Sequence, residues 1–209
     1  MLYWILRPLM WLFYKLFYPM KVWGKENCVE SGKNIVICNH LGKSDVLLIG
    51  ALYKNKTYFM AKIEWFDNKV FGWILRNLGA IPLDRDKPSL SSIKEGLTVL
   101  KNNNRLAIFP EGRRNFVDNT LQEIKQGTAL FAVKGQVAIT PVIIHEKIRV
   151  FKKNYAIVGK PIDFSEFYNV KFTEEVSAKC TEIIKERMLA LQKEVAALVE
   201  EEKSRKKKK

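Results

Sequence analysis

Histidine is scarce in this chain, with only His40 and His145 in 209 residues. Cysteine is scarce too: Cys28, Cys38 and Cys180 are odd in number and contain no CxxC pair, so neither a disulfide framework nor a metal site is indicated. A reducing compartment fits that usage. Acidic residues are in deficit, 22 against 36 Lys and Arg, for a net charge of +14. No pair of glycines four apart encloses a serine, so the GxSxG nucleophile elbow is missing. Gly42-Lys43-Ser44 imitates the end of a P-loop, but Ile37 stands where its first glycine belongs, which disfavours nucleotide hydrolysis. Long uncharged apolar runs are missing as well. In the opening MLYWILRPLMWLFYKLFYPM, Arg7 and Lys15 leave seven uncharged residues between them, against the roughly 20 needed to span a bilayer. No small-residue cleavage pattern follows, which argues against a removed signal peptide.

Apolar residues are plentiful. At 47% hydrophobic the chain has ample material for a core, and its length is most simply one domain. Six of the cations lie in the tail 203–209, and subtracting them leaves +8 on the body, a balance suited to phosphate-bearing substrates or an anionic surface. Eight of the 24 aromatics fall in residues 1–23, the composition of a helix lying in a bilayer interface with its cations snorkelling to headgroups. The expected organisation is an interfacial helix over 1–23, an α/β domain over 24–203 and a basic tail over 204–209.

The run Asn34-Ile35-Val36-Ile37-Cys38 reads as a buried strand. Further strands are expected at 57–61, after Gly79, at 105–109, at 137–144 with an early break at Pro141, and at 155–158. Helices are expected at 45–53, 64–78, 88–102, 124–134 and 173–203, the last amphipathic with Cys180, Ile184, Met188 and Val195 on one face. Strands alternating with helices predict an α/β fold with a mixed, largely parallel sheet flanked by helices.

In such sheets function gathers beyond the C-terminal ends of strands. Three polar loops lie there: 39–45, 84–86 and 111–115. The first carries His40 and Asp45, a neutral-range base and a carboxylate able to fix its tautomer, provided the chain bends at Gly42 to bring them together. On the other two, Arg85, Arg113 and Arg114 form a possible phosphate clamp, because arginine presents several donors in fixed planar geometry. Pro110 and Gly112 confine the backbone around Glu111. Cys38 reads as a small buried hydrophobe rather than a nucleophile, and His145 has no partner pattern around it.

Four blocks in order resemble the glycerolipid acyltransferases typified by 1-acyl-glycerol-3-phosphate acyltransferase. Asn39-His40 with Asp45 is similar to that family's NHxxxxD, the stretch from Gly79 to Arg85 to its GxIxxxR, Phe109 to Arg114 to its FPEGxR, and Ile139 to Val142 to its proline-containing final strand. Two departures stand out: Leu41 and Gly42 replace the family's frequent Ser or Gln, and Asn115 its usual Ser. The resemblance implies direct transfer of a fatty acyl chain from acyl-CoA or an acyl carrier protein to the free hydroxyl of lysophosphatidic acid. His40 would be the base and Asp45 its orienting partner. Arg85 and Arg114 would hold the acceptor phosphate, Glu111 would orient acceptor or arginine, and Gly112 would allow close backbone approach. Arg113 occupies the family's variable position. No cofactor is implied, and the expected location is the cytoplasmic face of the cell membrane, peripheral or monotopic. Another lysophospholipid or glycerol 3-phosphate fits the same phosphate argument. A non-enzymatic module binding anionic lipid or nucleic acid explains the charge but not the four blocks, so no nucleic acid is expected.

Overall fold

The computed structural model describes residues 2–84, 87 and 89–207. Its elements alternate as the apolar periodicity requires: α1 (Leu2–Phe17), β1 (Met20–Trp23), β2 (Asn34–Cys38), α2 (Asp45–Leu52), β3 (Thr57–Lys62), α3 (Lys69–Asn77), β4 (Ala80–Leu83), α4 (Leu90–Lys101), β5 (Arg105–Ile108), α5 (Gly127–Gly135), β6 (Ile139–Ile144), β7 (Asn154–Val158) and α6 (Glu174–Lys207). The strands form one sheet in the order β1-β7-β6-β2-β5-β3-β4. Strands β6, β2, β5, β3 and β4 run parallel, β7 is antiparallel to β6, and β1 is parallel to β7. The expected mixed, largely parallel sheet is therefore present.

Central β2 is buried along its whole length. Its alternate side chains divide between two cores: Ile35 and Ile37 face the larger one under α4, α5 and α6, while Val36 and Cys38 face the smaller one under α1 and α2. The connection from β2 through α2 leads over β5 to β3, whereas the connection from β5 through α5 leads over β2 to β6. The chain thus leaves these two neighbours in opposite directions, which opens a crevice beyond their C-terminal ends.

Several boundaries differ from the periodicity reading, each for a local reason. The helix expected over 1–23 ends at Phe17, and Met20–Trp23 becomes an edge strand paired with β7. The helix expected over 64–78 breaks in two because the Asn68 side chain accepts from Phe71 N at 3.0 Å and caps α3. Residues 124–126 are not helical. Lys125 N donates instead to Pro110 O at 2.8 Å, tying this segment to the loop after β5. Pro141 does not break β6. Its carbonyl accepts from Gly159 N at 2.8 Å, so its missing N–H faces that same side, where β7 has ended, and not β2. At the other end α6 continues to Lys207 and takes most of the basic tail into the helix. Among the described residues no helix is long and apolar enough to cross a membrane.

Candidate active site

The loop after β2 is held from three sides. Asn39 is fully buried and bridges to β6: its Nδ2 donates to Ile144 O at 2.9 Å and its Oδ1 accepts from Ile144 N at 2.8 Å. His40 follows, 7% exposed, with its ring stacked on Phe109 at a centroid distance of 4.0 Å. Its backbone carbonyl accepts from Asn115 N at 2.8 Å, which joins the β2 loop to the β5 loop.

His40 Nδ1 and Asp45 Oδ2 are 2.9 Å apart. The same carboxylate oxygen accepts from Leu41 N and Gly42 N, each at 2.7 Å. Asp45 opens α2 and is fully buried, so these charge-assisted bonds, with the positive end of the helix dipole, compensate its desolvation. The chain bends at Gly42, as expected, and the pair closes. Gly42 does not have a left-handed backbone, and an added Cβ there would meet only ordinary contacts. One carboxylate oxygen collects three donors and folds the loop around itself. With Nδ1 donating to Asp45, the imidazole offers Nε2 as its acceptor, the form a general base requires.

Glu111 is buried behind His40. Oε1 accepts from His40 N at 2.9 Å and Oε2 from Gln122 N at 3.3 Å. Burial pushes its carboxyl up from the ordinary value while these two backbone bonds pull it down. The expectation that Glu111 orients acceptor or arginine meets a different arrangement, with both oxygens accepting from backbone. Gly112 turns the chain with φ 70, a left-handed conformation suited to glycine, and its amide donates to Phe109 O at 3.0 Å. A Cβ on it would touch only Lys125 Cγ at 3.6 Å, so the structural requirement here is the turn.

The structure brings His40, Asp45, Glu111 and Gly112 together. Arg114 is half-buried on the same β5 loop, its guanidinium 5.2 Å from the Phe116 ring centroid, and Arg113 is exposed beside it. Arg85 lies outside the described residues. Cys38 is sealed at the end of β2, where burial pushes its thiol well above the ordinary range. His145 sits beyond β6, 3.6 Å from Glu146.

His40 and Phe109 are among the residues that line an apolar groove between α1, α2, β3 and α3. The groove passes Leu47, Gly50 and Phe59 and reaches Tyr3, Arg7 and Leu78. Its cavity volume is about 170 Å³, below the roughly 300–1,000 Å³ typical of ligand pockets, and its mouth is open. Periodicity could not reveal it, because its walls come from elements far apart in the chain. Helix α1 also sends Tyr14 into the core behind Asp45. Among the described residues neither the Tyr14 hydroxyl nor Asp45 Oδ1 has a hydrogen-bond partner. Burial, and secondarily the charge of Asp45, pushes the Tyr14 phenol well above its ordinary range.

Residues 19–145 match the family model described as Acyltransferase, which covers more than half of the chain, and the chain belongs to that family. It is 31% identical over 185 residues to the 1-acyl-sn-glycerol-3-phosphate acyltransferase of Bacillus subtilis (strain 168), covering 86% of this chain and 91% of that protein. The namesake of Streptococcus pneumoniae (strain ATCC BAA-255 / R6) is 41% identical over 110 residues, 52% of this chain and 40% of that one. The fold is similar to the crystal structure of the 1-acyl-sn-glycerophosphate (LPA) acyltransferase PlsC from Thermotoga maritima. That match has a TM-score of 0.68 and 25% identity, and it covers 92% of this chain and 79% of the other.

Proposed function

We propose that this enzyme moves a fatty acyl chain from an acyl thioester to the free hydroxyl of lysophosphatidic acid, giving phosphatidic acid. The observation that carries this reading is His40, oriented by Asp45 and lining an apolar groove. Nε2 of His40 takes the hydroxyl proton as the hydroxyl oxygen attacks the thioester carbonyl. Asp45 stabilises the imidazolium that forms. When the tetrahedral intermediate collapses the C–S bond breaks, the imidazolium returns its proton to the departing thiolate, and the products are an ester and a free thiol. The groove takes the acyl chain and keeps water from the thioester.

Glu111 acts as a positioning residue that holds the His40 backbone. Arg114, with Arg85, holds the acceptor phosphate, and the cationic body of the protein favours that anion. The enzyme works at the cytoplasmic face of the cell membrane, peripheral or monotopic. Supporting this are the exposed apolar side chains of α1, Trp4, Ile5, Leu9, Leu12 and Leu16, and the three free thiols, which suit a reducing compartment. The test supplies purified protein with lysophosphatidic acid and either a long-chain acyl-CoA or an acyl carrier protein thioester, and follows phosphatidic acid by mass spectrometry. Product is expected with at least one donor and not with His40→Ala. Equal activity of the two proteins would overturn the assignment of the base, and no product with either donor would overturn the reaction.

A further inference from the structure

The connection 145–153 between β6 and β7 carries a strained apolar tip. Phe151 has φ 54, in the left-handed region where a bulky side chain is held only if its surroundings impose it. Burial does not account for the conformation, because Phe151 is 68% exposed and Val150 beside it is exposed as well. Its amide donates to Phe17 O at 2.7 Å and its ring centroid lies 5.2 Å from that of Phe17. The tip therefore continues the surface of α1 beyond its last turn.

Cations surround this tip. Lys147, Arg149, Lys153 and Lys203 line a polar pocket between the connection and the end of α6; Arg149 pairs with Glu146 at 3.2 Å and Lys203 with Glu200 at 3.0 Å, exposed pairs that lipid phosphates can replace. Lys152 is exposed next to Phe151, and the last turn of α6 adds Arg205, Lys206 and Lys207. Glu202 pins α6 to the connection through Lys153 and to β1 through Lys21, each at 2.6 Å. An apolar ring projecting from a collar of cations suits a bilayer surface, with the ring entering the acyl boundary and the cations stopping at the phosphates.

We propose that the 145–153 connection and the last turns of α6 form a second bilayer contact, distinct from α1. In it Phe151 enters the acyl boundary while Arg149, Lys152 and Lys203 bind the phosphates of anionic phospholipids. The proposal rests on the membrane-surface reading above and extends it from one helix to a two-point attachment. Two contacts on one rigid body orient the enzyme as well as tether it, and the second engages through effective concentration once α1 is bound.

The full chain is tested by co-sedimentation with phosphatidylcholine vesicles prepared with and without phosphatidylglycerol. Phe151→Gly keeps the left-handed turn while removing the ring, and about tenfold weaker binding to both vesicle types is expected. Changing Arg149, Lys152 and Lys203 together to Gln removes only the extra affinity for phosphatidylglycerol, about fivefold per cation at low salt. Leu9→Ser with Leu12→Ser, made separately, reports on α1. If this α1 variant loses binding while Phe151→Gly and the Gln triple bind both vesicle types as wild type does, the second contact is refuted and the α1 reading stands. If Phe151→Gly loses binding and the α1 variant does not, the α1 reading fails and the second contact stands. The melting temperature of Phe151→Gly is expected at or above that of wild type. A lower one would show that the ring serves the fold, and would also refute the proposal.

Discussion

The two faces of the sheet share the same strands and are covered in different ways. Under α4, α5 and α6 the core is the larger one: Ile35, Ile37, Leu106, Ile139 and Ile143 meet Cys180, Ile184, Met188 and Val195 of the long last helix, and an open cleft remains toward β1 and β7, where Trp23, Ile157, Leu191 and Leu198 line it. Under α1 and α2 the core is smaller and gives way to the groove. Helix α2 has only eight residues and turns the small Gly50 and Ala51 toward that space. A Cβ on Gly50 would meet nothing within 4 Å. The interdigitated centre of the larger core stabilises the domain, and the short α2 on the other face leaves room for a ligand beside His40.

If that division holds, substitutions on the two faces should separate activity from stability. The largest effect is expected for His40→Ala, with kcat reduced about a thousandfold and the melting temperature close to wild type. A large fall in melting temperature would show that the site loop also carries the fold. In the core under α6, Ile184→Ala should cost about 2–5 kcal/mol of unfolding free energy in a urea titration, while kcat per folded molecule stays unchanged. For Arg114→Ala the acceptor KM should rise about tenfold at constant kcat, including in detergent where membrane binding plays no part. An unchanged KM would take Arg114 out of the phosphate site.

A smaller effect is expected where α1 meets the site. Tyr14→Phe removes a buried hydroxyl that has no partner among the described residues, and should stabilise by about 1 kcal/mol, raising Tm by roughly 2–4 °C. A decrease would mean that the hydroxyl is satisfied by water. The smallest effect concerns Glu202, whose carboxyl is held by Lys153 and Lys21 at about 2, below its ordinary 4.5. A depressed carboxylate contributes stability above its unfolded value, and that contribution disappears as pH falls from about 4.5 toward 2. Glu202→Gln should therefore flatten the decline of Tm over that window. An unaltered decline would show that the ion pairs contribute nothing to it.

Most of the secondary structure was legible because it is written in local periods. The apolar run at β2 matches its strand residue for residue, and α6 keeps its buried face at helical spacing. Strand β1 was not legible. Its four residues continue an aromatic segment, and their partner β7 lies more than 130 residues away. Pro141 misled in the opposite sense, since whether a missing N–H matters depends on which neighbour it faces. At the site, the residue types in the NHxxxxD and FPEGxR blocks pointed to the loops that meet. The part played by Glu111 could not be read, because its partners are backbone amides that no side-chain pattern reports.

The sequence alone determined which residues are candidates for the chemistry and roughly where the strands and helices run, because residue type and short-range spacing are properties of adjacent positions. Only the tertiary structure decided how the pair closes. The expected bend at Gly42 is present, and what holds it is one oxygen of a buried Asp45 that draws in His40, Leu41 and Gly42, since a carboxylate taken from water must replace its lost hydrogen bonds. It also decided that His40 should face a groove. That depends on the sheet order, which places α1, α2 and β3 around one space, and no stretch of the chain contains that order by itself.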